Sequence, residues 1–218
     1  MGELSDALLA LNKEEVLQIV KHGLGAGLDP LELVDEARGG LERVGQKFDR
    51  GEYFLMELMR AAQIFQAAAG LLNPAIQARH GGIKTEGKVL IGTVAGDIHD
   101  LGKNIVKILL ECRGIEVVDL GVDVPAEKFV QAMRQVQPDV VGMSALLTAS
   151  IPQMKATIEA IAAAGLRDRA KVIVGGGIVG EVSVTEVKAD HATTDANEGI
   201  KVIAEWVKAG AQEAVKHA

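Results

Sequence analysis

Asp97 and His99 stand two residues apart in the string Gly96-Asp97-Ile98-His99-Asp100-Leu101-Gly102. A carboxylate beside an imidazole can hold one ring nitrogen, fix the tautomer and raise the basicity of the other nitrogen, as happens around metal-bound histidines. The string follows Val89-Leu90-Ile91-Gly92-Thr93-Val94, an apolar run that reads as a buried strand. It precedes Ile105, Ile108, Leu109 and Cys112, which recur at helical spacing. The pair therefore falls on a strand-to-helix loop, where α/β folds keep their ligands, and it points to a metal or a cofactor.

Two later loops also carry small or polar residues: Ser144-Ala145-Leu146-Leu147-Thr148-Ala149-Ser150 and Gly175-Gly176-Gly177. Each of the three has an ordinary explanation when taken alone. His99 fits a structural histidine bonded near a helix start, and Asp100 fits the cap of the helix that follows. The hydroxyls fit loop caps, and the glycines fit tight turns. Gly175-Gly176-Gly177-Ile178-Val179-Gly180 also satisfies G-x-G-x-x-G, which suggests a dinucleotide. That fingerprint belongs after the first strand, however, and here it follows the fourth, leaving Asp97 and His99 without a task.

The elements that must position these loops fall into two groups. Residues 1–80 read as helices only. Asn12 with Glu15 forms a capping box ahead of Val16, Leu17, Ile19, Val20 and Leu24. Asp29-Pro30 starts the next helix, with Leu31, Val34, Ala37, Leu41, Val44 and Phe48 as its stripe. After a turn at Arg50-Gly51-Glu52, a third long pattern runs from Phe54 and Leu55 through Leu58 and Phe65 to Leu72. With a short segment at Leu4, Leu8 and Leu9, this predicts a four-helix bundle. Residues 81–88 are polar and glycine-rich and read as a linker.

Residues 89–218 alternate strand, loop and helix. Strands are predicted at Val89–Val94, Glu116–Leu120, Val140–Met143 and Val172–Val174, with a shorter one near His191–Thr194. Helices are predicted over 101–113, 125–137, 152–165, 180–188 and 197–216. Near-continuous Val/Ile strands between helices imply a parallel sheet covered on both faces. Five such units predict an α/β, flavodoxin-like (Rossmann-like) doubly wound domain with its ligand at the carboxyl ends of the strands.

Composition narrows the function classes. The chain has 218 residues, is 48% hydrophobic and carries a net charge of −7. An acidic chain with no basic run argues against nucleic acid and against anionic membrane surfaces. A single cysteine, Cys112, allows no intrachain disulfide and fits a reducing, cytoplasmic setting. The N-terminal Met1-Gly2-Glu3-Leu4-Ser5-Asp6 lacks the basic and apolar regions of a secretory signal. No stretch approaches the roughly 18 apolar residues of a membrane span.

Taken together, the three loops resemble the cobalamin-binding module of methionine synthase and of corrinoid methyltransferase proteins. That family's signature is Asp-x-His-x-x-Gly, then Ser-x-Leu, then Gly-Gly. Here it reads Asp97-Ile98-His99-Asp100-Leu101-Gly102, Ser144-Ala145-Leu146 and Gly175-Gly176. The flanks Lys103-Asn104-Ile105-Val106 and Val118-Asp119-Leu120-Gly121-Val122-Asp123-Val124-Pro125 look like the family as well. Gly51-Glu52-Tyr53-Phe54-Leu55 resembles its helical cap.

The resemblance implies a cobalamin or related corrinoid bound base-off, its nucleotide tail threaded into the domain and His99 as the lower axial cobalt ligand. It implies that Asp97 holds the other ring nitrogen and that Ser150 extends the relay to a hydroxyl. Gly96, Ile98, Asp100 and Leu146 would contact the cofactor, and Ser144 and Thr148 would line the slot for the tail base. Gly102, Gly175 and Gly176 would leave the tail room, and Ala196 would touch it. Phe54 and Leu58 would cover the upper face, although Leu58 also fits as bundle core. The chain departs from the family pattern at Gly177-Ile178-Val179-Gly180 and at His191, both at the rim of the tail pocket. His22, His80, His191 and His217 lack the Asp-x-His context and are not expected to be ligands.

The implied function is a corrinoid carrier that shuttles a methyl group through cobalt(I) and methyl-cobalt(III). A substrate:corrinoid methyltransferase would load it from a methoxyaromatic, methylamine, methanol or betaine. A second methyltransferase would unload it to tetrahydrofolate or to a thiol such as coenzyme M. A reductive activating protein would rescue oxidised cobalt. The alternatives are a cobalamin-dependent sensor or regulator and a nucleotide-binding oxidoreductase.

Overall fold

The computed structural model describes residues 2–80, 85–111, 113–179 and 181–216. Cys112, Gly180 and His217 lie outside the described residues. The chain divides into two compact units, Met1–Lys84 and Thr85–Ala218.

The first unit holds α1 (Glu3–Leu9), α2 (Lys13–Gly25), α3 (Pro30–Asp49) and α4 (Leu55–His80). The Asn12 side chain accepts from the Glu15 amide at 3.3 Å, and its own amide donates to the Glu15 carboxylate at 2.8 Å. Asn12 thus caps α2 much as the sequence predicts, with the return bond made by its side chain rather than its backbone. Asp29 accepts from Leu31 N at 3.0 Å and Pro30 opens α3. α4 carries Pro74 internally, buries Ile76 just beyond it and runs to His80. The stripes bury Leu4, Leu8, Val34, Leu41, Val44, Leu58 and Leu72.

The second unit runs β1 (Lys88–Thr93), α5 (Leu101–Glu111), β2 (Glu116–Asp119), α6 (Ala126–Val136) and β3 (Val140–Ser144). It continues with α7 (Ile151–Ala163), β4 (Lys171–Gly175), α8 (Glu181–Val187), β5 (His191–Thr193) and α9 (Ala196–Lys216). The five strands are all parallel, in the order β2-β1-β3-β4-β5. This is the doubly wound order in which the crossover reverses at β1 and β3. Central strands bury both faces, which is why Val89–Ile91, Val140–Val141 and Val172–Val174 read as unbroken apolar runs. Leu90, Phe129, Val141, Met154, Ile158 and Val174 meet in the core. Each fully buried large side chain contributes about 1.5–3 kcal/mol.

Register places the chemistry. Thr93 on β1 pairs with Ser144 on β3, Ser144 with Gly175 on β4, and Gly175 with Thr193 on β5. The last residues of four strands thus stand in one row, and the loops leaving that row hold the predicted site.

Candidate functional site

The Asp97 side chain is wholly buried although it stands on a loop. One oxygen, Oδ1, accepts the His99 main-chain amide at 3.0 Å and faces His99 Nδ1 at 2.7 Å. The other, Oδ2, accepts the amides of Leu146 at 2.7 Å and Leu147 at 3.1 Å, from the loop after β3. Burial pushes the carboxyl pKa up, but the bonds from His99, Leu146 and Leu147 outweigh it and hold the group well below the usual carboxylate range.

An ionised Asp97 can only accept, so Nδ1 of His99 must carry the proton it donates. That assigns the tautomer: Nε2 keeps its lone pair. The His99 side chain is 48% exposed, and Nε2 has no hydrogen-bond partner among the described residues. Buried Thr93 fixes the residue further, its hydroxyl donating to the His99 carbonyl at 3.2 Å. The result is an oriented imidazole presenting one basic nitrogen outward.

Exposed apolar side chains stand at the ends of β1, β2 and β3: Ile98 (72%) after β1 with Leu101 opening α5, Val122 after β2, and Leu146 (46%) and Leu147 after β3. Water-facing Ile and Leu on loops that converge on one polar pair suit a large ligand that covers them.

Beside this row lies a cavity between the sheet and helices α5 and α9. Gly102, Gly142, Ser144, Gly175, Thr193 and Ala196 are among its walls. Its volume is about 190 Å³. Sites that engulf a whole ligand run to roughly 300–1,000 Å³, so this one suits an inserted arm whose body stays outside. A Cβ on Gly102 would meet nothing within 4 Å and would project into open space. Gly176 is a different case: its φ is +129° and a Cβ would fall 1.8 Å from the Ala145 carbonyl oxygen. The close backbone approach by itself demands glycine there, and Gly176 also lines the cavity.

Several predicted residues sit differently from their expected roles. Ser150 is buried, but no hydrogen bond joins its hydroxyl to Asp97 among the described residues, because Oδ2 is filled by two backbone amides. The relay expected to end on a hydroxyl ends on main chain instead. Thr148 opens an exposed 3₁₀ turn and is absent from the cavity wall. The amides of Leu146 and Leu147 draw the chain to Asp97 just before it. Asp100 directly precedes α5, yet its carboxylate accepts from the Asn104 side chain at 3.0 Å rather than from a helix amide. His191 does not line the cavity; it packs edge-on against Trp206. In the helical unit Phe54 is 72% exposed, whereas Leu58 is wholly buried and takes the core role.

Sequence reasoning missed Thr93, Gly142, Lys103, Thr193 and Gly199. Thr93 and Gly142 break otherwise apolar strands, a signal that was available. Lys103 gave no such signal. It is 6% exposed, lines the cavity and places its ammonium 2.7 and 2.6 Å from the two Asp119 oxygens.

Comparison with known proteins fits this geometry. The family model described as B12 binding domain matches residues 87–202, and a second model of the same description matches residues 2–73. A trimethylamine corrinoid protein of Methanosarcina barkeri is 35% identical over 201 residues, covering 92% of this chain and 93% of the relative. A dimethylamine corrinoid protein of the same organism is 36% identical over 201 residues, with the same coverage. Among solved structures, a chain of the methanol:cobalamin methyltransferase complex from Methanosarcina barkeri superposes with a TM-score of 0.85. It is 27% identical, and the match covers 94% of this chain and 78% of that one. Among the described residues no helix is long and apolar enough to cross a membrane.

Proposed function

Because the chain belongs to the B12-binding corrinoid proteins, we propose that it is the methyl-carrying subunit of a multi-component methyltransferase. The observation that carries this reading is His99, locked through Nδ1 by a buried, ionised Asp97 and left with Nε2 free.

The residues fit the group. Among the described residues no cluster of three His, Cys, Asp or Glu side chains could hold a bare metal ion. A single oriented imidazole suits a metal that arrives inside a macrocycle and lacks only an axial ligand. When bound, the corrinoid supplies a cobalt centre that accepts a methyl group and gives it up again. His99 would hold the cobalt through Nε2, while Asp97 holds the Nδ1 proton. The amides of Leu146 and Leu147 keep Asp97 charged. Gly102, Ser144, Gly175 and Ala196 wall the cavity that would take the nucleotide tail of a base-off corrinoid. Exposed Ile98 and Leu146 would offer apolar contact to the ring.

The donor proposed is a methylamine, delivered by a substrate:corrinoid methyltransferase. Similarity to both a trimethylamine and a dimethylamine corrinoid protein supports the class. The acceptor is tetrahydrofolate or a thiol such as coenzyme M, reached through a second methyltransferase, with a reductive activating protein restoring oxidised cobalt. The test is reconstitution of the purified protein with hydroxocobalamin under reducing conditions, then incubation with methylamine:corrinoid methyltransferases and mono-, di- or trimethylamine. The expected result is stoichiometric corrinoid and a visible spectrum that changes on methylation by one of these amines. Failure to retain corrinoid, or bound corrinoid that no methylamine alkylates, overturns the reading.

A further inference from the structure

The loop after β2 contains a charged residue with no task so far. Asp123 has φ +51°, a left-handed backbone that non-glycine residues seldom adopt, and Gly121 two positions earlier has φ +88°. Around them the pairing of β1 with β2 continues irregularly. Leu120 N donates to Ile91 O, Thr93 N to Gly121 O, and Val124 N to Thr93 O. Val122 and Asp123 stand outside that ladder as a bulge.

From the bulge, Asp123 reaches the site loop twice. Its amide donates to the Asp97 carbonyl at 2.9 Å, and its carboxylate accepts the Gly96 amide at 2.7 Å. Gly96 itself has φ +79°, so the turn that presents Asp97 is one that needs an external hold. The loop after β3 holds the Asp97 carboxylate, and Asp123 holds its main chain. The two grips come from opposite neighbours of β1 in the sheet.

We propose that Asp123 is a positioning residue for His99: it fixes the Gly96-Asp97 backbone and so aims the carboxylate that holds Nδ1. The functional consequence rests on the reading of His99 as the cobalt ligand; the clamp itself does not. Asp123 is solvent-exposed, so its substitution leaves the core in place.

Three variants separate its contributions. Asp123→Asn keeps an oxygen acceptor and tolerance of positive φ. Asp123→Gly keeps the backbone conformation and loses the acceptor. Asp123→Leu loses both. In apo protein labelled with 15N-histidine, wild type and Asp123→Asn are expected to show the Nδ1–H tautomer of His99 with a proton protected from exchange. Protection falls about fivefold in Asp123→Gly, the size of one lost hydrogen bond, and further in Asp123→Leu. In hydroxocobalamin-loaded, one-electron-reduced protein, the nitrogen splitting from an axial histidine falls in the same order. If Asp123→Gly folds and its apo His99 signals match wild type, the clamp is overturned. If wild type shows no axial nitrogen while the apo signals still follow Asp123, the clamp stands and the ligand reading falls.

Discussion

Asp97 Oδ1 lies 2.7 Å from His99 Nδ1 and 3.0 Å from the amide nitrogen of the same histidine. One oxygen therefore fixes both the ring and the main chain of His99, and the second ties the pair to the loop after β3 through Leu146 and Leu147. The imidazole has no freedom to offer Nδ1 outward. All its remaining basicity is at Nε2.

His99→Asn is expected to separate binding from ligation. The side chain is half exposed and its removal leaves the sheet intact, so unfolding free energy should fall by no more than about 1 kcal/mol. Corrinoid should still bind through the cavity and the apolar loops, whereas the methylation rate and the cobalt spectrum should change. Reconstituted variant with a wild-type visible spectrum and wild-type methylation rate would show that His99 is not the ligand.

Asp97 should make stability depend on acid. Its folded pKa is depressed, so the stabilisation is fully present above the unfolded value of about 4 and is lost as pH falls below it. Asp97→Ala leaves three part-buried amides without their acceptor and should cost about 1–3 kcal/mol at neutral pH. The variant should also lose less stability than wild type on acidification. Urea unfolding across the acid range measures both, and parallel acid profiles for the two proteins would contradict the assignment.

The two glycines of the site should answer alanine in opposite ways. Gly102→Ala adds a methyl group within α5 where nothing lies within 4 Å, so stability should hold or rise by up to about 1 kcal/mol. Corrinoid affinity should drop, because that methyl group occupies the cavity. Gly176→Ala forces a Cβ onto the Ala145 carbonyl at φ +129° and should destabilise the apo protein by roughly 3 kcal/mol or more. Thermal melts of both apo variants, with and without corrinoid, distinguish a ligand-space glycine from a backbone glycine.

The sheet was readable because Val89–Ile91, Val140–Val141 and Val172–Val174 are buried on both faces and so appear as apolar runs. Their alternation with helical stripes implied parallel order, and the loops carrying Asp97, Ser144 and Gly175 were placed correctly at the carboxyl ends. What the sequence hid is main chain. Nothing in the letters of Leu146 and Leu147 says that their amides fill Asp97 Oδ2, and a hydroxyl such as Ser150 is the natural guess when only side chains are visible. At Gly176, which lines the cavity, the second constraint is hidden for the same reason: it is a carbonyl of Ala145 in the loop after β3. Asp123 is readable only once its backbone angle is known. α4 was legible through its stripe to Leu72; Pro74 interrupts the pattern there, and buried Ile76 resumes it.

Lys103 supplies the last test. Its ammonium lies 2.6 and 2.7 Å from the Asp119 oxygens and 3.1 Å from Asn104, with Lys107 a more distant second cation at 3.8 Å. Removing one partner of a buried pair leaves an uncompensated charge, so Lys103→Met should cost about 3 kcal/mol, moderated by Lys107. Methionine keeps an apolar stem of similar reach along the cavity wall, so corrinoid affinity of the folded fraction should stay near wild type. Lys103→Met combined with Asp119→Leu should recover part of the loss, because no charge is then stranded. A double-mutant cycle by urea unfolding reads the coupling. If the single variant is neutral, the pair is not a determinant of stability. If it loses corrinoid while remaining folded, the ammonium acts on the ligand and not on Asp119.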